Sequence, residues 1–214
     1  MPSITKIHIP KRINNPQLPM TPRGIILHYV GNPGTTARAN ARYFANVASM
    51  VSVHYIVDDS EIIEIIPPEM KSYGTSDGVY NGAYIQIEMC HPDVTGRISD
   101  ATLDNVVWLC GELIKRYDIA QIVRHFDVTG KRCPLWYVTH PEEWEMLKVR
   151  ILKGEITMDN TPSEWAKEAV AWAVERGILR GDENGNLRLR DNVTREETVV
   201  MMYRANVKKE RADG

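Results

Sequence analysis

The residues with the most evident chemistry lie between Arg124 and Pro134, a stretch that reads Arg-His-Phe-Asp-Val-Thr-Gly-Lys-Arg-Cys-Pro. His125 and Cys133 stand eight positions apart in it. Imidazole nitrogen and thiolate sulfur are both good zinc ligands. Lys131, two residues before the cysteine, is a cation that favours the thiolate form. Thr129-Gly130 permits a turn, so the segment can fold back and bring His125 and Cys133 together. Taken alone, the pattern fits equally a surface loop with a hydrogen-bonded histidine and an ordinary buried cysteine. A second stretch adds a partner. Residues Gly24 to Val30 read as a buried strand before the turn Gly31-Asn32-Pro33-Gly34, and His28 stands near the strand's end. Such a histidine is often only a core residue. With His125 and Cys133, however, it makes the two-nitrogen, one-sulfur set of a catalytic zinc with a fourth position open for water.

Four blocks in order, Leu27-His28-Tyr29, Ser52 to Asp59 (Ser-Val-His-Tyr-Ile-Val-Asp-Asp), Gln86-Ile87-Glu88-Met89-Cys90 and Arg124 to Pro134, resemble the zinc-dependent N-acetylmuramoyl-L-alanine amidases. That family includes phage lysozyme-type amidases, bacterial autolysins and peptidoglycan recognition proteins, and the resemblance covers roughly Ile25 to Ile151. It implies an α/β fold: a mixed central β-sheet flanked by helices, with a zinc cleft. It implies Zn2+ held by His28, His125 and Cys133, with Lys131 steadying the oxyanion. Some relatives use a tyrosine just before the second-strand histidine as general base; Val53 stands there, so that role is vacant. In autolysin-like relatives the glutamate matching Glu88 takes it. A salt-bridged structural carboxylate is the other reading of Glu88, since a charge inside an apolar strand is costly unless paired or functional. Asp127 and Thr129 are expected to support the ligands, and Tyr29 and Tyr55 to pack near the site.

The remaining candidates are read as structural. Cys90 ends a strand and Cys110 lies on a helix stripe, so both are expected to be buried apolar residues. His54 is expected to be a packed strand histidine. His8, His91 and His140 have no partner at ligand spacing and are expected to face solvent. Three cysteines are an odd count, which fits a reduced compartment rather than a disulfide framework.

Composition bounds the rest. With 43% apolar and 25% charged residues in 214, the chain can bury the core of one medium domain plus a small one. A net charge of −2 gives no global basic field to attract nucleic acid or an anionic membrane. No run of about 18 apolar residues suggests a membrane span. The N-terminal residues lack an apolar run of signal-peptide length. The expectation is a protein made in the cytoplasm without a signal peptide, which acts on the cell wall after release during phage or prophage lysis.

The elements that must position the site follow in order. The first 23 residues carry Pro10, Pro16, Pro19 and Pro22, so they read as an irregular arm with a short strand from Ile4 to Ile9. The resemblance places this arm beside the first main strand. Thr35 or Thr36 caps a helix through Val47 with Tyr43, Phe44 and Val47 toward the core. Strands are expected at Ser52 to Val57, Glu61 to Ile66 and Ala83 to Cys90. The loop 69–82, rich in Gly, Ser and Asp, would rim the cleft. It reads Ser72-Tyr73-Gly74 where many relatives carry a Trp-His pair. Ser99 caps a helix to Tyr117 with the stripe Leu103, Val106, Val107, Cys110, Leu113, Ile114. Gln121 to Arg124 is a strand, and Pro141 opens a helix through Leu152, with Trp144 and Leu147 toward the sheet.

Residues 1–153 form the expected catalytic domain and 154–161 a linker. Residues 162–214 form a small α-helical domain of two amphipathic helices joined by a Gly/Asp/Asn-rich loop. This segment resembles one S-layer homology repeat, with Thr194-Arg195-Glu196-Glu197 at the signature position. It implies binding to a secondary wall polymer or assembly into a homo-oligomer; a helical hairpin used only for dimerisation is the plainer alternative. The charged tail from Lys208 is expected to be disordered.

The leading function is therefore a peptidoglycan hydrolase, an endolysin or autolysin. It would cleave the amide between N-acetylmuramic acid and L-alanine with zinc-activated water. The alternative is a non-catalytic peptidoglycan-binding module; such relatives commonly lose the cysteine ligand, which Cys133 retains. A cytosolic enzyme recycling muropeptides is a third reading, against which the wall-binding segment counts.

Overall fold

The run Gly24–Tyr29 carries apolar side chains on both faces, and Ile25, Ile26 and Leu27 are fully buried. Such a strand belongs in the middle of a sheet covered on both sides. In the computed structural model it is β2. The other strands are β1 (Ile4–Lys6), β3 (Tyr55–Val57), β4 (Ile62–Glu64), β5 (Tyr84–Met89) and β6 (Gln121–Arg124). They form one sheet in the order β1-β4-β3-β5-β2-β6. Pairing is parallel except between β3 and β4, which form a hairpin. The structure describes residues 2–10, 14–47, 49–119, 121–153, 162–181, 185, 187–189 and 193–210.

Helices cover the two faces. Helix α1 (Ala37–Asn46) is capped by Thr36, whose hydroxyl accepts from the Ala39 amide. Its first amide donates to Asp58 at 2.7 Å, which ties it to the β3–β4 turn. With Ala37, Ala41 and Phe44 it covers Ile56 and Ile63. Helix α3 (Asp100–Tyr117) is capped by Ser99 and ends at Asp118 in the left-handed conformation. It packs Val106, Val107, Cys110 and Leu113 on the other face, against Ile25, Leu27, Ile85, Ile87 and Met89. A helix of four residues, α2 (Gly78–Asn81), sits in the loop before β5. Two five-residue helices follow β6, α4 (His125–Thr129) and α5 (Leu135–Thr139), and then α6 (Pro141–Lys153) buries Trp144, Leu147 and Ile151. Because side chains alternate along a strand, Ile25 and Leu27 face α3 while His28, Gln86 and Glu88 share the α1 face with Ile56.

The chain divides into two compact units, Met1–Ile156 and Thr157–Gly214. The second contains α7 (Lys167–Glu175), preceded by the 3-10 turn Glu164–Ala166, and α8 (Arg195–Glu210). Within it the Arg204 guanidinium donates to the Ile178 carbonyl. The expected linker, 154–161, lies outside the described residues, as do 211–214 of the expected disordered tail; α8 itself runs to Glu210. No described helix is long and apolar enough to cross a membrane.

Four expectations need correction. The N-terminal arm does not lie beside the Gly24 strand. It extends the opposite edge, where Ile4 pairs with Ile62, because both neighbours of β2 are already supplied by β5 and β6. Tyr43 and Val47 are half exposed; Ala37 and Ala41 face the core with Phe44, since small side chains let α1 lie close to the sheet. His91 does not face solvent. It is buried, with ring nitrogens 2.8 Å from the Val30 carbonyl and 2.7 Å from that of Asp93. Tyr55 faces the α3 core, on the opposite side of the sheet from His28 and Glu88, and its hydroxyl donates to buried Glu64.

Beyond the β1–β4 ladder the arm is held by a side chain. Buried Asn14 donates to the carbonyls of Phe44 and Val47 at the end of α1 and accepts from the amides of Ser49 and Met50. Replacing it with alanine strands these backbone groups. We expect Asn14→Ala to lower stability by about 3 kcal/mol, read as a shift of the urea midpoint. Asn14→Asp should be no better, because a carboxylate cannot donate to the two carbonyls.

Candidate metal centre

The parallel register sets the site. Pairing places Glu88 opposite His28, with Gln86 one step earlier on the same face. On the other side of β2, Leu27 pairs with Arg124, the last residue of β6. The next residue, His125, opens α4 beside His28, with ring centroids 4.7 Å apart. The chain then turns at Gly130, whose φ of 77° a side chain would strain. The Phe126 amide donates to the Cys133 carbonyl at 2.9 Å and closes the eight-residue loop. All three expected ligands therefore meet: one donor atom each from His28, His125 and Cys133 lies within 4.8 Å of the others. Five residues of the loop became helix α4, whose turn makes the return compact.

Sγ of Cys133 is 3.8 Å from Nδ1 of His28. Zinc bond lengths and a tetrahedral angle require about 3.6 Å between such atoms. Two of the buried side-chain atoms without a partner among the described residues belong to this group: Nδ1 of His125 and Oε2 of Glu88. Buried polar atoms are normally satisfied. Two orphans beside a two-nitrogen, one-sulfur donor set fit a cation and the water it would carry.

Burial dominates the electrostatics. It lowers the pKa of His28 to about 3, helped by His125 and Lys131 and opposed by the Gln86 hydrogen bond. It lowers that of His125 to about 4, with Lys131 adding to the effect. Both rings are neutral at pH 7, with a lone pair to offer. Burial pushes Glu88 up to about 8 against the pull of Lys131. It pushes Cys133 up to about 12, reinforced by Glu88 and opposed by the Tyr29 backbone amide and Lys131. Lys131 alone therefore does not hold Cys133 as thiolate, contrary to the sequence expectation. A divalent cation would, since a coordinating thiol ionises. The Lys131 side chain is exposed, and its charge reaches all four groups.

The supporting groups differ from those expected. Asp127 does not touch a ligand. It accepts from the Arg124 amide at 2.8 Å and pairs with the Arg124 guanidinium, capping the helix that begins with His125. Thr129 shapes the turn through the His125 carbonyl and the Lys131 amide. Gln86, to which the sequence assigns no role, has its Oε1 2.6 Å from Nε2 of His28. Its position two residues before Glu88, on the same strand face, was the available signal. His54 is the packed histidine expected: fully buried, its Nε2 bound to the Met70 carbonyl and its Nδ1 accepting from the Gln86 amide. Cys90 and Cys110 are buried, as read. His8 is exposed but pairs with Glu64 at 2.7 Å, and half-buried His140 stacks on Trp136.

Comparison with known proteins places this geometry. The profile of the family described as N-acetylmuramoyl-L-alanine amidase matches residues 18–136, and that of the S-layer homology domain matches residues 157–199. The chain is 34% identical over 161 residues to N-acetylmuramoyl-L-alanine amidase XlyA of Bacillus subtilis (strain 168), covering 72% of this chain and 52% of that one. It is 30% identical over 168 residues to N-acetylmuramoyl-L-alanine amidase CwlL of Bacillus licheniformis, covering 69% and 46%. The chain thus spans about half the length of these curated relatives. Among solved structures, the catalytic domain of XlyA superimposes with a TM-score of 0.62 at 31% identity, over 70% of this chain and 99% of that one. A mutant endolysin from Bacillus subtilis gives 0.63 at 30%, over 71% and 99%. With the amidase profile spanning more than half of its length and the sheet shared with these solved domains, the chain belongs to the N-acetylmuramoyl-L-alanine amidase family.

Proposed function

We propose that the protein is a peptidoglycan hydrolase of the endolysin type. It cleaves the amide between the lactyl group of N-acetylmuramic acid and the L-alanine of the stem peptide. The observation that carries this reading is the convergence of His28, His125 and Cys133 beside the unpartnered carboxyl of Glu88. The three residues would hold zinc, which would supply Lewis-acid polarisation of the scissile carbonyl and a water of lowered pKa. Glu88 takes a proton from the attacking water and passes it to the leaving amine; a carboxyl poised near neutrality suits both steps. Lys131, whose charge acts on all four groups, steadies charge developing on the carbonyl oxygen. The S-layer homology unit retains the enzyme at the wall by binding a secondary wall polymer. Residues up to about 153 carry the chemistry and those beyond about 162 the wall binding. The enzyme meets its substrate at the cell wall, after release during lysis.

The decisive experiment measures new L-alanine amino termini from purified peptidoglycan, with bound zinc assayed in parallel. Wild type is expected to release them. Cys133→Ser should lose at least tenfold in zinc affinity and at least a hundredfold in activity, while its circular dichroism stays unchanged. Full zinc occupancy without release from several wall types would favour a recognition module.

Glu88 also makes a prediction for metal-free protein. Its folded pKa of about 8 exceeds the ordinary 4.5, so folded protein holds a proton that unfolded protein has released. Stability from this group therefore falls as pH rises from about 4.5 to 8. His28 and His125 act oppositely but only below 6.5, and Cys133 acts only above 9. Between pH 6.5 and 8 Glu88 sets the slope, up to about 1.4 kcal/mol per pH unit. In chelator, wild type should lose stability across that window and Glu88→Gln should not. A flat wild-type profile would mean that Glu88 is already ionised in the metal-free fold.

A further inference from the structure

The His28 ring is not free to choose which nitrogen it offers. The choice can be traced, one hydrogen bond at a time, to a peptide group in the loop before β5. The Thr75 amide donates to Asn81 Oδ1 at 3.0 Å, and the Thr75 carbonyl accepts from Asn81 Nδ2 at 2.8 Å. Backbone groups cannot exchange these roles, so the Asn81 amide has one orientation. Its Oδ1 faces Gln86, so the amide nitrogen of Gln86 is the group that donates there, at 3.4 Å. The Gln86 oxygen is thereby left to accept from Nε2 of His28 at 2.6 Å. A neutral imidazole protonated on Nε2 carries its lone pair on Nδ1, the nitrogen 3.8 Å from Cys133 Sγ.

The position of Gln86 is as constrained as its polarity. Its amide donates to Nδ1 of His54 and its carbonyl accepts from the His54 amide. On the loop side it lies against Gly74. A Cβ there would stand 2.6 Å from Gln86 Oε1 and 2.8 Å from its Cδ. The Gly74 backbone is not left-handed. The Gln86 side chain, not the turn, therefore calls for a glycine. A residue larger than glycine forces Gln86 or the Gly74 backbone to shift, and a shift of Gln86 disturbs its 2.6 Å bond to His28.

We propose that Gln86, oriented by Thr75 and Asn81 and given room by Gly74, is a positioning residue that fixes His28 in the Nε2–H tautomer and so presents Nδ1 to the metal. The proposal rests on the metal-centre reading, and it makes the 74–81 loop part of that centre. Outer partners of this kind typically change metal affinity 10- to 100-fold.

The test uses the full chain. Nitrogen-15 NMR of metal-free protein should show His28 wholly as the Nε2–H tautomer. Gln86→Leu, similar in size but unable to accept, should give a tautomer mixture and bind zinc about 10- to 100-fold more weakly by chelator competition. Gly74→Ala should shift both readouts in the same direction while leaving Gln86 in the chain, which covers the case in which Gln86→Leu does not fold. In the Gln86→Leu background, Gly74→Ala should add no further loss. An unchanged tautomer in both single variants would overturn the proposal, as would an equal cost of Gly74→Ala in both backgrounds. Failure of wild type to bind zinc would sink the metal-centre reading instead, while the tautomer comparison still decides the role of Gln86.

Discussion

The in-register parallel pairing of β2 with β5 and β6 is the constraint on which the rest depends. β6 ends opposite Leu27, one step before His28 and its partner Glu88, so His28, Glu88 and His125 emerge side by side. Strand side chains alternate, and a slip of one residue would turn each of them to the opposite face. In β5 that slip would carry Glu88 into the α3 core and bring Ile85, Ile87 and Met89 to the face that carries His28. Each buried aliphatic side chain contributes about 1.5–3 kcal/mol. The apolar face thus enforces the register, and the register places the polar groups on the other face. Core and site are two consequences of one pairing.

The same burial sets the chemistry of the donors. Desolvation keeps both histidines neutral, protonates Glu88 and keeps Cys133 as a thiol. A buried cluster of neutral donors carries no internal repulsion, and metal binding to thiol and imidazole donors in general releases protons. Lys131 works with burial at the histidines and against it at Glu88 and Cys133. It is therefore a modulator of the two groups that must give up protons. Of the three buried side-chain atoms without a partner among the described residues, two, Glu88 Oε2 and His125 Nδ1, lie in this cluster.

The second unit is built on different terms. The first unit buries two aliphatic clusters on either side of its sheet. The second has Ile178 as its only deeply buried apolar side chain among the described residues, while Trp165, Trp172, Val199, Met202 and Tyr203 are exposed. Short helices draw most of their stability from packing an apolar face. Those of this unit leave much of that face uncovered, consistent with a single S-layer homology repeat.

The sequence by itself determined the candidate donor set, the strand carrying Glu88 and the approximate bounds of the longer elements. His28, Cys133 and the two capped helices are legible because each rests on a local rule: donor chemistry, strand alternation, or a hydroxyl before a helical stripe. The edge taken by the N-terminal arm was not legible, since strand order depends on which edges other strands leave open. Nor was the burial of His91, which is satisfied by carbonyls from two separate segments. Gln86 is the clearest case. The sequence shows a glutamine two residues before a glutamate. Only the tertiary structure decided that it holds His28, because the groups that fix its polarity and its room, Asn81, Thr75 and Gly74, reach it from a loop whose path no local rule dictates.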